Sequence, residues 1–258
     1  MIKKSLSIGE LWFLLRQAAP AVIVGLEDPH RGLSVDEVLE EDRKALASLI
    51  EKGLVIKSGE SEIEVDDSLM DMIKVMADPE DTVLIDSTRG SVHQQDYVYH
   101  RNNTFVEYHV EDTAHCLQLL NDRNQLLDIL KEQFKVSDAQ ISEPQQFSLA
   151  EVDLFEVRSL FVRGKQVEAR RKIDSLDIPE VCSKEFSEAI FQPELNGSIS
   201  VLSSVSGKDD FIVHGTAIVS GAASVWKLSP YSQNENAMVK CTRIDAKEFA
   251  SIIEDLIP

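Results

Sequence analysis

Apolar residues recur at helical spacing through the first fifty positions. Leu11, Leu14, Leu15 and Ala18 fall on one stripe, opened by Ser7 three residues before Glu10 and closed by Pro20. A second stripe, Val35, Val38, Leu39, Leu46, Leu49 and Ile50, begins at the capping pair Ser34 and Glu37 and ends at Gly53. Leu54–Ile56 and Glu62–Val65 then flank a turn at Ser58-Gly59 and predict a hairpin. Helix, helix, glycine and hairpin outline a winged-helix-like N-terminal unit. A further apolar helix stops at Asp78-Pro79.

From Thr82 the period shortens to two. Tyr97–His100 and Thr104–Val110 flank Asn102-Asn103, residue types that tolerate the positive φ of a tight turn. Ala114–Leu120 supplies another strand, and Asp122 with Gln125 caps a closing helix carrying Leu126, Leu127 and Leu130. The second half repeats this order. Ser148 and Glu151 repeat the opening box, and Gln192-Pro193 repeats the proline step before the β-prone run Ser198–Leu202. Phe211–Val219 and Ala222–Leu228 flank a turn at Ser220-Gly221, Ala237–Arg243 is the last strand, and Asp245 with Glu248 caps the final helix. Residues 229–236 read as a polar loop. Where the first half has its hairpin, the second has Gly164 and a helix over Lys165–Leu176.

A repeat of this length is a duplicated module and not a solenoid. The expected fold is α+β, two similar halves whose strands join in one antiparallel sheet with helices packed on it. Residues 1–136 form the first repeat, 137–147 a linker, and 148–258 the second.

Composition narrows the function. A chain of 258 residues with 43% hydrophobic and 28% charged residues is globular, and it contains no apolar run of the roughly twenty residues that span a membrane. It is expected in the cytoplasm. The net charge of −19 is spread along the chain, with 14 basic against 26 acidic residues in 1–136 and 12 against 19 in the remainder. That sign repels phosphate backbones and anionic membranes, so neither nucleic acid nor membrane is an expected partner. Cys116, Cys182 and Cys241 are odd in number and form no CxxC, which excludes a disulfide framework and reads as buried thiols.

No nucleophile elbow, phosphate loop, HExxH or dinucleotide fingerprint occurs, so no enzyme and no cofactor is expected. His93, His100, His109 and His115 cluster in sequence. A two-residue turn at Asn102-Asn103 would put His100, Glu107 and His109 on one hairpin face and Tyr97, Tyr99, Val106 and Tyr108 on the other. A polar strand face opposite an aromatic one is also what a sheet with one wet side shows, and no recognised ligand spacing is present, so no metal is expected. The basic run Arg163, Lys165, Arg170, Arg171 and Lys172 reads as a solvated helix face. The helices of the second half, in contrast, are more apolar than one buried stripe requires. Phe155, Leu160, Phe161 and Val162 are the candidate contacts for a protein partner.

The order of elements resembles the EspG-like chaperone family of ESX (type VII) secretion over nearly the full chain. The resemblance lies in Ser7–Leu15, the helix end at Lys52-Gly53-Leu54, the step Met76-Ala77-Asp78-Pro79, the sheet segments Gly215–Leu228 and Met238–Cys241, and the terminal helix Phe249–Leu256. It implies a pseudo-twofold α/β protein with a central antiparallel sheet flanked by helical bundles. It also implies a cytosolic, non-enzymatic chaperone or adaptor that holds helical secretion substrates by an apolar patch. The competing expectation is a regulatory protein that uses the winged-helix-like unit.

Overall fold

Short-range signals place the helices. In a computed structural model, residues 2–18, 23–59, 62–138, 141, 145–204 and 211–257 are described. Strand β1 (Ile2–Leu6) leads into helix α1 (Ile8–Ala18), whose first turn is closed reciprocally: the Ser7 amide donates to Glu10 at 2.6 Å and the Glu10 amide to Ser7 Oγ at 3.2 Å. The predicted stop at Pro20 lies outside the described residues. Helix α2 (Val35–Glu51) carries the full Ser34/Glu37 capping box, and Gly53 follows it at φ +67. Strands β2 (Val55–Lys57) and β3 (Ile63–Val65) pair as the expected hairpin, and α3 (Asp67–Ala77) ends at Asp78.

Strands β4 (Asp81–Arg89), β5 (Val92–Arg101), β6 (Thr104–Glu111) and β7 (Ala114–Leu120) follow, then helix α4 (Arg123–Phe134). Asn102 and Asn103 both take positive φ, +48 and +62, with Arg101 opposite Thr104. The remainder runs β8 (Gln146–Ala150), α5 (Glu151–Val162), α6 (Gln166–Asp174), α7 (Glu180–Phe191), β9 (Leu195–Ser204), β10 (Phe211–Ser220), β11 (Val225–Gln233), β12 (Asn236–Ile244) and α8 (Ala246–Leu256). The hydrogen-bonded strand order is β1-β7-β6-β5-β4-β9-β10-β11-β12-β8. The β1-β7, β5-β6, β6-β7, β10-β11, β11-β12 and β12-β8 pairings are all antiparallel. The architecture is α+β.

Contacts group the chain into two units, each discontinuous in sequence: 1–84, 96–126 and 202–212, and 85–95, 127–201 and 213–258. In the first, α1 (Leu11, Leu14, Leu15) and α3 (Leu69, Met72, Ile73, Met76) cover the sheet face of Tyr99, Val106, Tyr108 and Leu117. Gly25, at φ +83, sits under the Tyr97 ring, where a Cβ would come within 2.4 Å of ring carbons. In the second, Phe147, Phe186 and Trp226 meet edge to face with centroids 4.9 to 5.7 Å apart, inside a core completed by α5, α6 and α7.

Two expectations change. Ser148 does not cap a helix: it lies in β8, opposite Lys240, and α5 begins at Glu151 after an Ala150 that offers no side-chain cap. At α4 the Gln125 amide donates to Asp122 at 3.0 Å, and the Gln125 side chain accepts from the Asn121 amide at 2.8 Å. Residues 229–236 are not a loop. β11 and β12 extend through them to an Asn234-Glu235 turn at φ +48 and +66, and exposed polar side chains on both strands hide the alternation from a sequence reading. Gly221 lies in the β10-β11 connection as expected, its amide donating to the Ser224 carbonyl at 2.8 Å; a Cβ there would lie 2.9 Å from Ala189 Cα, so its missing side chain lets the connection approach α7. Within the segment 137–147, residues 139–140 and 142–144 lie outside the described residues, and β8 already begins at Gln146.

Candidate partner-binding surface

Helix α5 has apolar residues at seven of its twelve positions, Val152, Leu154, Phe155, Val157, Leu160, Phe161 and Val162. A helix against a core buries one stripe little wider than 100°, so these residues divide between two faces. Leu154 and Val157 are buried, and Leu160 and Phe161 pack half-buried beside them, the Phe161 ring 5.5 Å from that of Phe191. Val152, Phe155 and Val162 fall at i, i+3 and i+10 on the opposite face and are 70%, 72% and 84% exposed. Of the four side chains singled out from sequence, Phe155 and Val162 therefore point to solvent, whereas Leu160 and Phe161 belong to the core. Val152 completes the outward stripe and was missed, although its spacing from Phe155 is legible in the sequence.

The stripe borders a groove of about 530 Å³ lined by Ala150, Glu151, Val152 and Phe155 with Ala237 and Met238 of β12. Charge beside it is already matched within the chain. Lys172 of α6 reaches Asp153 at 2.7 Å and Glu156 at 2.8 Å, contacts that push the ammonium up to about 12. A second cleft, of about 550 Å³, opens between α6 and α7, with charged Arg170, Glu180, Lys184 and Glu188 beside apolar Ile173 and Phe191 on its walls and the Arg170 guanidinium 5.7 Å above the Phe191 ring.

Helix α2 presents no free basic face. Arg43 pairs with Glu40 at 2.9 Å, Lys44 with Glu41 at 2.8 Å, and Lys52 with Glu10 at 2.7 Å. Glu10 is the notable member. Burial pushes its carboxyl up, but hydrogen bonds from Lys52, Ser48 and Ser7 outweigh burial and hold it below the usual carboxylate range.

The clustered histidines do not converge. His100 is buried with Nδ1 3.3 Å from Asp81, its ring stacked 4.4 Å from Phe105, and Asp81 also accepts a 2.6 Å hydrogen bond from Ser203. His115 meets the Tyr108 hydroxyl at 2.8 Å, and burial pushes it down. His93 meets Asp86 at 3.0 Å. His100, Glu107 and His109 do share one strand face, but His100 is engaged by Asp81, and burial pushes the Glu107 carboxyl up against the opposing pull of His109.

No protein-family model and no curated protein matches this sequence. Among solved structures, the chain is similar to the Mycobacterium tuberculosis type VII secretion system chaperone EspG5, solved in complex with a PE25-PPE41 dimer. The TM-score is 0.70, and the match covers 99% of this chain and 96% of that one at 10% identity. The chain has an EspG-like fold. At this identity the likeness to EspG5 is one of fold, so a candidate binding surface rests on the side chains of this chain. No helix among the described residues is long and apolar enough to cross a membrane.

Proposed function

We propose that this protein is a non-enzymatic, cytosolic chaperone or adaptor that binds a helical secretion substrate through the outward stripe of α5. The observation that carries the reading is that stripe. Val152, Phe155 and Val162 are all at least 70% exposed beside an apolar-walled groove, on a helix whose opposite face already completes the core. A helical client would lay an apolar ridge against such a stripe. The EspG-like fold supports the reading, because EspG5 is a secretion chaperone whose structure holds a protein dimer. A net charge of −19 favours a client with a basic or neutral tip. The recurring order of elements supports an internal duplication with repeats over 1–136 and 148–258, in which the first-half hairpin and the second-half helix α6 mark divergence.

The test is capture from native cell extract on the immobilised full chain, with bound proteins identified by mass spectrometry and the variant Phe155→Asp run in parallel. A dominant secreted-type helical protein retained by the parent chain and lost by Phe155→Asp is expected. Equal capture by both chains, or capture of no such protein, overturns the assignment.

A further inference from the structure

The β6-β7 register brings together three metal-ligating side chains that no sequence spacing announced. His109 lies directly opposite Cys116, and Glu111 is two residues beyond His109 on the same strand and therefore on the same face. The hairpin turns at Asp112, which takes φ +55. One ligand atom each from His109, Glu111 and Cys116 lies within 4.8 Å of the other two. Among the described residues this is the one group of three such side chains in mutual reach.

Zinc sits about 2.3 Å from a thiolate, about 2.0 Å from an imidazole nitrogen and about 2.1 Å from a carboxylate oxygen, so tetrahedral ligand atoms stand roughly 3.3–3.8 Å apart. Small side-chain rotations close the remaining distance. Glu111 is exposed and His109 half-buried, so both can move, whereas Cys116, 3% exposed, is the fixed anchor. A thiolate, an imidazole and a carboxylate together select a borderline-soft ion over magnesium or calcium. We propose that His109, Glu111 and Cys116 form a three-ligand site for a zinc-class divalent cation, with its fourth position open to solvent. On binding, the metal–sulfur bond replaces the Cys116 S–H bond and the proton passes to solvent, with no change in oxidation state. Lys3 of the neighbouring strand β1 is the competing cation, its Nζ 3.9 Å from Glu111. This site is independent of the α5 surface and of the chaperone reading.

Cobalt(II) titration of chelator-treated full-length protein tests it. One equivalent of cobalt is expected to produce a near-ultraviolet thiolate-to-metal charge-transfer band, which zinc then abolishes by displacement. Cys116→Ser should remove the band. His109→Ala and Glu111→Gln, which alter less buried side chains and so serve if Cys116→Ser does not fold, should weaken binding at least tenfold. Lys3→Gln should tighten it about two- to fivefold, the range of an exposed ion pair. No band at excess cobalt, or a band that survives Cys116→Ser and disappears with Cys182→Ser or Cys241→Ser, overturns the proposal.

Discussion

Glu10 and Lys52 make an asymmetric pair whose two halves should fail differently. The Glu10 side chain is 1% exposed and that of Lys52 42%. The carboxylate accepts from the Ser7 amide at 2.6 Å and from Lys52 Nζ at 2.7 Å, so a single side chain ties the start of α1 to the end of α2. Glu10→Gln keeps an acceptor for Ser7, and the abandoned Lys52 ammonium turns into water; because the neutral amide also sheds the carboxylate's desolvation cost, the expected loss is about 0.5–1.5 kcal/mol, that of one ordinary hydrogen bond. Lys52→Ala leaves a buried carboxylate with only Ser7 and Ser48 as donors and no countercharge. Breaking a fully buried pair costs about 3–5 kcal/mol, and the partial exposure of Lys52 lowers this to about 2–3. The more exposed partner is thus expected to be the more damaging one to remove.

Acid separates these effects further. In the parent chain the folded-state pKa of Glu10 is depressed, so its stabilisation is present above the unfolded value of about 4.3 and is lost as pH falls through the lower folded value. In Lys52→Ala burial dominates and raises that pKa, so the penalty is full at neutral pH and relieved as pH falls through the raised value. Urea denaturation of the parent, both single variants and the double variant at pH 7 and at pH 4.5 measures this directly. Equal losses for Glu10→Gln and Lys52→Ala, unchanged between the two pH values, would refute the reasoning.

The division of α5 predicts that Phe161→Ala lowers stability by about 2 kcal/mol while Phe155→Asp leaves the urea midpoint unchanged, since only Phe161 packs against the core. Gly221→Ala should cost about 1–3 kcal/mol by overpacking against Ala189, measurable as a lower urea midpoint with the same denaturant slope. Glu235→Gly should stabilise by about 0.5–1 kcal/mol, the left-handed strain of about 1–2 kcal/mol less the added chain entropy, and a lower thermal midpoint would contradict it.

The parts of the fold legible in sequence are those specified by neighbours. Ser34 and Glu37 are three residues apart, Asn102-Asn103 is a two-residue turn, and Asp78-Pro79 is a helix stop, so each acts within one turn of chain. The edge strands were not legible. Ile2–Leu6 and Gln146–Ala150 are five residues each, and what makes them strands is pairing to β7 and β12, roughly ninety or more positions along the chain. The same pairing took Ser148 from its predicted cap, a case of tertiary context overriding a local preference.

The candidate sites divide along the same line. The α5 surface follows from helical geometry alone: positions 152, 155 and 162 share one face, and 154, 157 and 161 the other, so the sequence already contained the separation of contact from core. The His109, Glu111 and Cys116 group was hidden because its spacing matches no ligand motif, and it converges only once the turn at Asp112 fixes which β7 residue faces His109. A register shift of one residue would carry Cys116 to the opposite face and abolish the group. The β5-β6 hairpin face legible in the sequence instead offers His100, which Asp81 and Phe105 hold elsewhere. Strand register, a property of two segments at once, therefore decides where the proposed metal ligands meet, while a single helix decides where the proposed partner surface lies.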